Sequence, residues 1–583
     1  MDSPSENQLP VQPEQAIAAH APKATKAQRV ERLKRAKNPW ECLDEIRRFA
    51  RQGTESVPQE WLGTYLRWWG IYTQGDGAGA LGGKGGEGKA SDYFMVRIRV
   101  PNGIVTSRQL RAIAGLASRH ARGVADITVR QNFQFHWVAL EALPEIIDTL
   151  VAEGLTSKGA CGDVARNLTG CPVAGVDAAE ICDASPLVLE ANRMLAGNPE
   201  FYNLPRKFKI SITGCREWCS YPEINDIGLT AIERRQHGQR EVGFSLRAGG
   251  GLSAEPHLAV RLNAFVRWRQ VLPVLRAIAE IFREQETLRQ SRERARLKYL
   301  FLQQGWTPDH FLDELNARLN LRLDPAVEEV QPKDVLRDHV GIHPQRQPGL
   351  FYVGASVLRG RITAAQLQAA AELADRFGSG ELRSTAMQNL IVVNVPRSDT
   401  APLAKELNDA GLRVVASPFW RGAVACTGTE FCKLAITETK SFTRWLVEEL
   451  EERLPGFDQQ LKLNVTGCPN SCGQHWIADI GLEGKKVKQG ADIVDAYYFC
   501  VGGAVGAHQA IARPVGYRCA AAEVPDAIAR LLRNYLAQRH DGENLRAYFS
   551  RFSDEELRAQ LAGGSVAPVQ RDRSPGPVPL VAD

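Results

Sequence analysis

Apolar and polar positions alternate along Phe94–Val100 (FMVRIRV), the signature of a half-buried strand. From Ser107 to His120 the apolar residues switch to helical spacing. Ile127–Trp137 (ITVRQNFQFHW) alternates again, and a second helical pattern runs to Gly154. The same order recurs later: Phe94–Leu155 matches Phe351–Leu412 at a constant offset of 257, pairing Gly103 with Gly360, Gln109 with Gln366, Gln131 with Gln388 and Asn132 with Asn389. A second block matches at an offset of 253, setting Thr213-Gly214-Cys215 against Thr466-Gly467-Cys468, Cys219 against Cys472 and Asp226–Leu229 against Asp479–Leu482.

Each half therefore reads as a two-part module. Its first part is strand, helix, strand, helix. Its second part opens on cysteines and runs through short strands (KISIT, GFSLRAGGG; then Leu461–Thr466 and Ala496–Gly503) into a helix near Leu272–Phe282 or Pro525–Leu536. The expected fold class is α+β, internally duplicated with pseudo-twofold symmetry, and a shared site belongs in the cleft between the copies. The expected divisions are an extension (1–90), a first module (91–156 and 157–320), a second module (345–413 and 420–556) and a Pro-rich tail (563–583) read as disordered. Between the modules, RERARLKYLFLQQ reads as a charged helix.

At 583 residues the chain exceeds what one hydrophobic core serves. The net charge of +5 is small for its length, and no basic stripe with interleaved aromatics speaks for nucleic acid. The interrupted basic run Lys23–Lys37 reads as a solvated helix face, or as a docking surface for an acidic electron carrier. The polar start MDSPSENQLPVQPEQ lacks the basic-then-apolar order of a signal peptide, and no apolar run is long enough for a bilayer. Cytoplasmic localisation is expected, with the twelve cysteines reduced.

Gly75–Lys89 (GDGAGALGGKGGEGK) contains a formal G-x-G-x-x-G but lacks the strand before and the helix after, and Ala90 stands where a P-loop needs Ser or Thr. It reads as a flexible loop. With no flavin or nicotinamide signature, electrons must come from another protein.

The chemistry concentrates in cysteines. Cys426 and Cys432 (CTGTEFC) and Cys468 and Cys472 (CPNSC) put four thiols on two turn-forming loops, suited to a cubane iron–sulfur cluster; zinc stays open, although a five-residue gap is wide for it. Cys161, Cys171, Cys215 and Cys219 form a rival set in the first module, read mainly as a vestige of the duplication.

CTGTEFC followed by NVTGCPNSC resembles the ferredoxin-dependent sulfite and nitrite reductases, and the resemblance spans about Pro39 to Phe552. It implies two ferredoxin-type reductase half-domains (91–156, 345–413), a sirohaem and substrate domain (157–320) and a 4Fe-4S and sirohaem domain (420–556). It also implies a 4Fe-4S cluster on Cys426, Cys432, Cys468 and Cys472, with Cys472 as axial ligand of sirohaem. Substrate-binding and proton-supplying roles fall on Arg97, Arg166, Lys207 and Lys209, and sirohaem contacts on Arg130, Asn132, Gln134 and His136. The implied donor is reduced ferredoxin and the implied state a monomer. The duplication shows the same asymmetry independently: Arg97 faces Gly354, and Arg130 faces Met387, so copy one carries the cations.

Lys209 and the Gln134–His136 pattern resemble the sulfite branch, and a dianion gains more from the extra ammonium than nitrite does. Nitrite to ammonia is the alternative. Tyr72 and Cys161 resemble a Tyr and Cys lying near the haem in a subgroup of sulfite reductases, and a covalent link between them is an expectation here. A non-assimilatory relative would carry an added C-x2-C-x2-C insertion, which the sequence does not show.

Overall fold

A computed structural model describes residues 24–74, 92–236, 238–332 and 337–564. The glycine-rich stretch Gly75–Lys89, the polar start and the tail from residue 565 on lie outside the described residues.

The strands of the first copy are β1 (Ile71–Thr73), β2 (Phe94–Ile98), β3 (Ile104–Thr106), β4 (Val124–Ile127), β5 (Phe133–Val138), β6 (Ile210–Thr213), β7 (Ile227–Gln236), β8 (Gln239–Ala248) and β9 (Val260–Arg267). The second copy follows with β10 (Gly341–Pro344), β11 (Leu350–Ala355), β12 (Arg361–Thr363), β13 (Glu381–Ser384), β14 (Leu390–Pro396), β15 (Ala423–Ala425), β16 (Leu463–Thr466), β17 (Ile480–Gln489), β18 (Asp492–Val501) and β19 (Arg513–Ala520). Mixed helix and sheet, duplicated, is the architecture expected from the sequence.

The two copies exchange strands. One sheet runs β1-β2-β5-β4-β12 and the other β10-β11-β14-β13-β3, so each half-domain is completed by a strand of its mate. β12 pairs with β4 from Arg361 opposite Asp126 to Thr363 opposite Val124, and β3 pairs with β13 from Thr106 opposite Glu381 to Ile104 opposite Arg383. At each crossing a backbone must pass close to the other copy. A Cβ on Gly103 would sit 2.1 Å from the Ser384 carbonyl oxygen, and one on Gly360 would sit 2.4 Å from that of Ile127; both glycines have positive φ. Only glycine fits there. Gln131 Nε2 donates to Ser384 O (3.1 Å), and Gln388 Nε2 donates to Ile127 O (2.9 Å). The residues that the copies share thus hold the copies together.

Each exchanged strand leads into a helix, Ser107–His120 or Ala364–Phe377, started by a capping box of Thr106 with Gln109 or Thr363 with Gln366. Such a cap contributes about 1 kcal/mol. Ala114, Ala117, Ala371 and Ala374 bury their small side chains between the two helices in one core common to both half-domains. The second part of each module has its own sheet, β6-β7-β8-β9 and β15-β16-β17-β18-β19, around a separate core.

Three local expectations differ from the structure. Ile127–Trp137 is two strands, not one: Thr128–Asn132 makes a turn, with Gln131 at φ 59° and the Gln131 N–H donated to Thr128 O. The charged stretch after Ser291 is helical only over Tyr299–Gln303, because Arg292 and Arg296 are drawn inward onto Asp163 and Asp226. The basic N-terminal run forms the helix Lys26–Ala36, but its Lys34 is fully buried, bonded to the Leu204 carbonyl and paired with Glu31 and Asp163, so part of that face is docked rather than solvated.

Candidate cluster and anion site

β15 and β16 are parallel neighbours, which brings their C-terminal ends to one edge of the sheet. Cys426 follows β15 and Cys468 lies just beyond β16. The Cys426 N–H donates to Val465 O (3.1 Å), and the Gly467 N–H donates to Cys426 Sγ (3.3 Å). A Cβ on Gly473 would meet Val465 O at 2.3 Å, so the CPNSC loop folds tightly against the strand end. The CTGTEFC loop is pinned by the first copy and by the exchanged strand β12: Phe431 stacks on His136 at 4.1 Å, and Glu430 accepts Arg361 at 2.9 Å while Arg361 also holds Asp126.

The four thiols converge. Burial pushes the Cys426, Cys432 and Cys468 thiols up, Cys432 to about 12, and each is raised further by the charge of Cys472. Thiols in such a dry setting keep their protons until a metal displaces them. Among the described residues, three metal-type ligand atoms within 4.8 Å of one another occur at Cys171, Cys219 and His339, not among these four. A single tetrahedral zinc needs sulfurs about 3.8 Å apart. The C-terminal thiols stand around a space rather than a point, which fits a cube. Cys472 is the exposed member, opening toward the first copy.

Facing it are the cations. The alternation of β2 sends Phe94, Val96 and Ile98 into the core and Arg97 to the opposite face. There Arg97 Nε donates to Gln134 Oε1 (2.8 Å) and Nη1 to Cys161 Sγ (2.9 Å). Arg166 is held by the Gly162 carbonyl (3.0 Å from Nε), and its N–H donates to Phe208 O (2.8 Å), tying it to the Lys207–Lys209 strand end. Arg130, in the turn after β4, donates to Asn225 Oδ1 (2.7 Å) and Asn167 O (2.6 Å). Burial, then the charges of Arg296 and Arg206, push Lys207 down to about 7, while the charge of Cys472 opposes the shift. That interaction links copy one to copy two. Burial and the charges of Arg296 and Lys207 also hold Lys209 well below its ordinary value. The carboxylate acting on Lys209, Asp226, is itself occupied by Arg296 in a bidentate pair (2.9 and 2.8 Å).

Several residues singled out from the sequence have protein partners of their own. His136 is buried, with Nδ1 2.9 Å from Gln74 Oε1, Nε2 3.1 Å from Asp126 Oδ2 and its face covered by Phe431. It braces the cluster loop. Asn132 Oδ1 accepts the Val100 N–H (3.4 Å) and Asn389 Oδ1 the Val357 N–H (3.0 Å), a duplicated turn support. Gln134 orients Arg97. Tyr72 lies within electrostatic reach of Cys161, Arg166 and Arg97, with Arg67 over its ring at 5.2 Å. Of the rival cysteines, Cys161 sits at the cation wall, apart from Cys171, Cys215 and Cys219. Asp226, Arg296 and Arg67 were not among the predicted site residues; no local motif marks Arg296, which arrives from the connector.

A duplicated fold carrying a four-thiol cluster pocket opposite a cationic wall defines an iron–sulfur oxyanion reductase. The nitrite and sulphite reductase 4Fe-4S domain matches residues 161–323 and 417–565, and the nitrite/sulfite reductase ferredoxin-like half domain matches 87–153 and 343–410. The chain belongs to that family. It is 38% identical over 536 residues to the assimilatory ferredoxin-dependent nitrite reductase of Haloferax mediterranei, covering 87% of this chain and 88% of that protein. It is 35% identical over 535 residues to a ferredoxin sulfite reductase of Mycobacterium tuberculosis, covering 90% and 94%. The solved structure of the Mycobacterium tuberculosis NirA protein superposes with a TM-score of 0.85 at 34% identity, covering 93% and 99%. Among the described residues no helix is long and apolar enough to cross a membrane.

Proposed function

We propose that the protein reduces sulfite to sulfide by six electrons, taking them one at a time from reduced ferredoxin. The observation that carries the reading is the pair of ammonium groups, Lys207 and Lys209, set beside Arg166 and opposite Cys472. Cys426, Cys432, Cys468 and Cys472 would hold the 4Fe-4S cluster, and Cys472, the exposed thiol, would bridge it to sirohaem. When bound, that coupled pair supplies the electrons and the iron on which the anion is reduced. The protein's own groups do the rest. Arg97 and Arg166, fixed by Gln134 and Gly162, hold anion oxygens in a set orientation. Lys207 and Lys209 donate protons as three oxygens leave as water, and a lysine drawn toward neutrality by its cationic neighbours gives up its proton readily. Arg130 would help hold sirohaem by offering its guanidinium to the cofactor's carboxylates. The twelve free cysteines suit a reducing, cytoplasmic setting.

A dianion gains more than a monoanion from each added ammonium, which favours sulfite. Nitrite to ammonia is the second reading, favoured by the identity to the Haloferax enzyme. Steady-state turnover of both anions with photoreduced ferredoxin tests the choice. A higher kcat/KM for sulfite is expected; a higher value for nitrite reverses the assignment.

A further inference from the structure

The mirror image of the cluster pocket, in the first copy, has ligands of its own. Gln388 Oε1 accepts the Ala425 N–H (3.1 Å) just before Cys426, and its mate Gln131 accepts the Gly170 N–H (3.3 Å) just before Cys171. Cys171 therefore occupies the place of Cys426, as Cys215 and Cys219 occupy those of Cys468 and Cys472. The fourth place, that of Cys432, falls to Asp177.

A histidine from the connector enters this pocket. His339 Nε2 lies 3.1 Å from Cys219 Sγ, Cys215 Sγ lies 3.5 Å from Cys219 Sγ, and the ligand atoms of Cys171, Cys219 and His339 all lie within 4.8 Å of one another. The asymmetry between the copies admits it. A Cβ on Gly354 would sit 1.8 Å from the His339 carbonyl oxygen, and Gly354 is the counterpart of Arg97. Where copy one carries its anion-facing arginine, copy two carries nothing, and the connector backbone takes the room with His339 at φ 57°.

We propose that Cys171, Cys215, Cys219 and His339 bind one zinc ion. Three thiolates and an imidazole make a closed tetrahedral donor set, needing sulfurs about 3.8 Å apart. The pocket comes near that size: Cys171, Cys219 and His339 form the set within 4.8 Å, and Cys215 adjoins it through Cys219 at 3.5 Å. Its three cysteines are 1–2% exposed, within an apolar wall that includes Val173, Val176, Ile391 and Val393. Polar support is present as well: Thr213 Oγ1 lies 3.1 Å and the Cys219 N–H 3.4 Å from Cys215 Sγ, and His339 Nδ1 lies 3.5 Å from Tyr352 Oη. Such contacts orient the ligands of a metal. Donor atoms 3.1 and 3.5 Å from Cys219 Sγ have the spacing of one ion rather than of a cube. Binding releases to solvent whatever thiol protons the cysteines carry and fixes residue 339, ahead of β10, to the first copy. The zinc thereby ties the connector between the copies, independently of the redox centre.

Metal analysis of holoenzyme, produced with iron and zinc both supplied and then dialysed against chelator, should find one zinc per chain beside the cluster and haem iron. Zinc-edge X-ray absorption should show three sulfurs and one nitrogen. Cys215→Ser and His339→Ala should lower zinc several-fold while the visible spectrum stays. Should those variants not fold, titrating the wild type with a mercurial should release stoichiometric zinc. Iron-replete protein without zinc, iron in the three-sulfur shell, or a Cys215–Cys219 disulfide would each overturn the proposal. A zinc-loaded protein without cluster or haem colour would instead refute the reductase reading alone.

Discussion

Asp226 holds Arg296 at 2.9 and 2.8 Å, and the same carboxylate accepts the Lys209 backbone N–H at 2.7 Å. Its mate Asp479 repeats the backbone contact with Lys462, also at 2.7 Å. In copy one the connector has added a buried guanidinium to an inherited strand anchor. The charged lip of the anion site is thereby fixed from behind.

Removing one partner of that pair strands a buried charge. Arg296→Ala should cost about 3–5 kcal/mol of stability, whereas Asp226→Asn with Arg296→Met should recover most of it. Thermal unfolding of single and double variants checks this; equal losses in both would show that the pair is not the anchor.

Lys207→Gln and Lys209→Gln should lower sulfite kcat/KM by about 10²–10⁴ if these ammonium groups donate protons. The iron content and visible spectrum should remain. Loss of colour with loss of activity would assign the lysines to holding the macrocycle instead.

Cys472→Ser should uncouple haem from cluster in electron paramagnetic resonance, whereas Cys500→Ser, a buried cysteine in β18, should leave the spectrum unchanged. An unchanged Cys472→Ser spectrum would remove the bridging role.

Acid lability follows from two buried carboxylates. Burial pushes Asp163 up, but Arg292, Lys34 and Arg206 outweigh it and hold the carboxyl well below the usual range; Lys440, Arg361 and His136 do the same for Asp126. A depressed carboxylate contributes stability above its unfolded pKa of about 3.9 and loses it as pH falls through that value toward the folded one. The melting temperature should be flat near neutrality and fall below about pH 4. Asp163→Asn should melt lower throughout, with a shallower acid slope.

Tyr72 and Cys161 lie within electrostatic reach of each other at the cation wall. Peptide mapping of oxidised holoenzyme should find them joined and two hydrogens lighter. Recovery of both peptides unmodified would dismiss the link.

Much of this was legible from periodicity and self-comparison. The helix Ser107–His120 has the bounds its apolar spacing predicts, and self-comparison set the cysteine loops of the two copies in register. The packing of His136 was not legible, because Phe431, which stacks on its ring, lies some three hundred positions away. The rival cysteines read as a vestige because nine residues separate Cys161 from Cys171 and Trp218 stands where the second copy has Ser471. His339 comes from the connector, which bears no spacing signal.

By itself the sequence determined the duplication, the alternation of layers and the four thiols of the second copy, since these rest on periodicity and short-range spacing. Tertiary structure decided the strand exchange, the Asp226–Arg296 anchor and the contacts of each matched residue. Glycine contacts and buried ion pairs join positions far apart in the chain, and no local pattern encodes which distant backbone or charge will meet them.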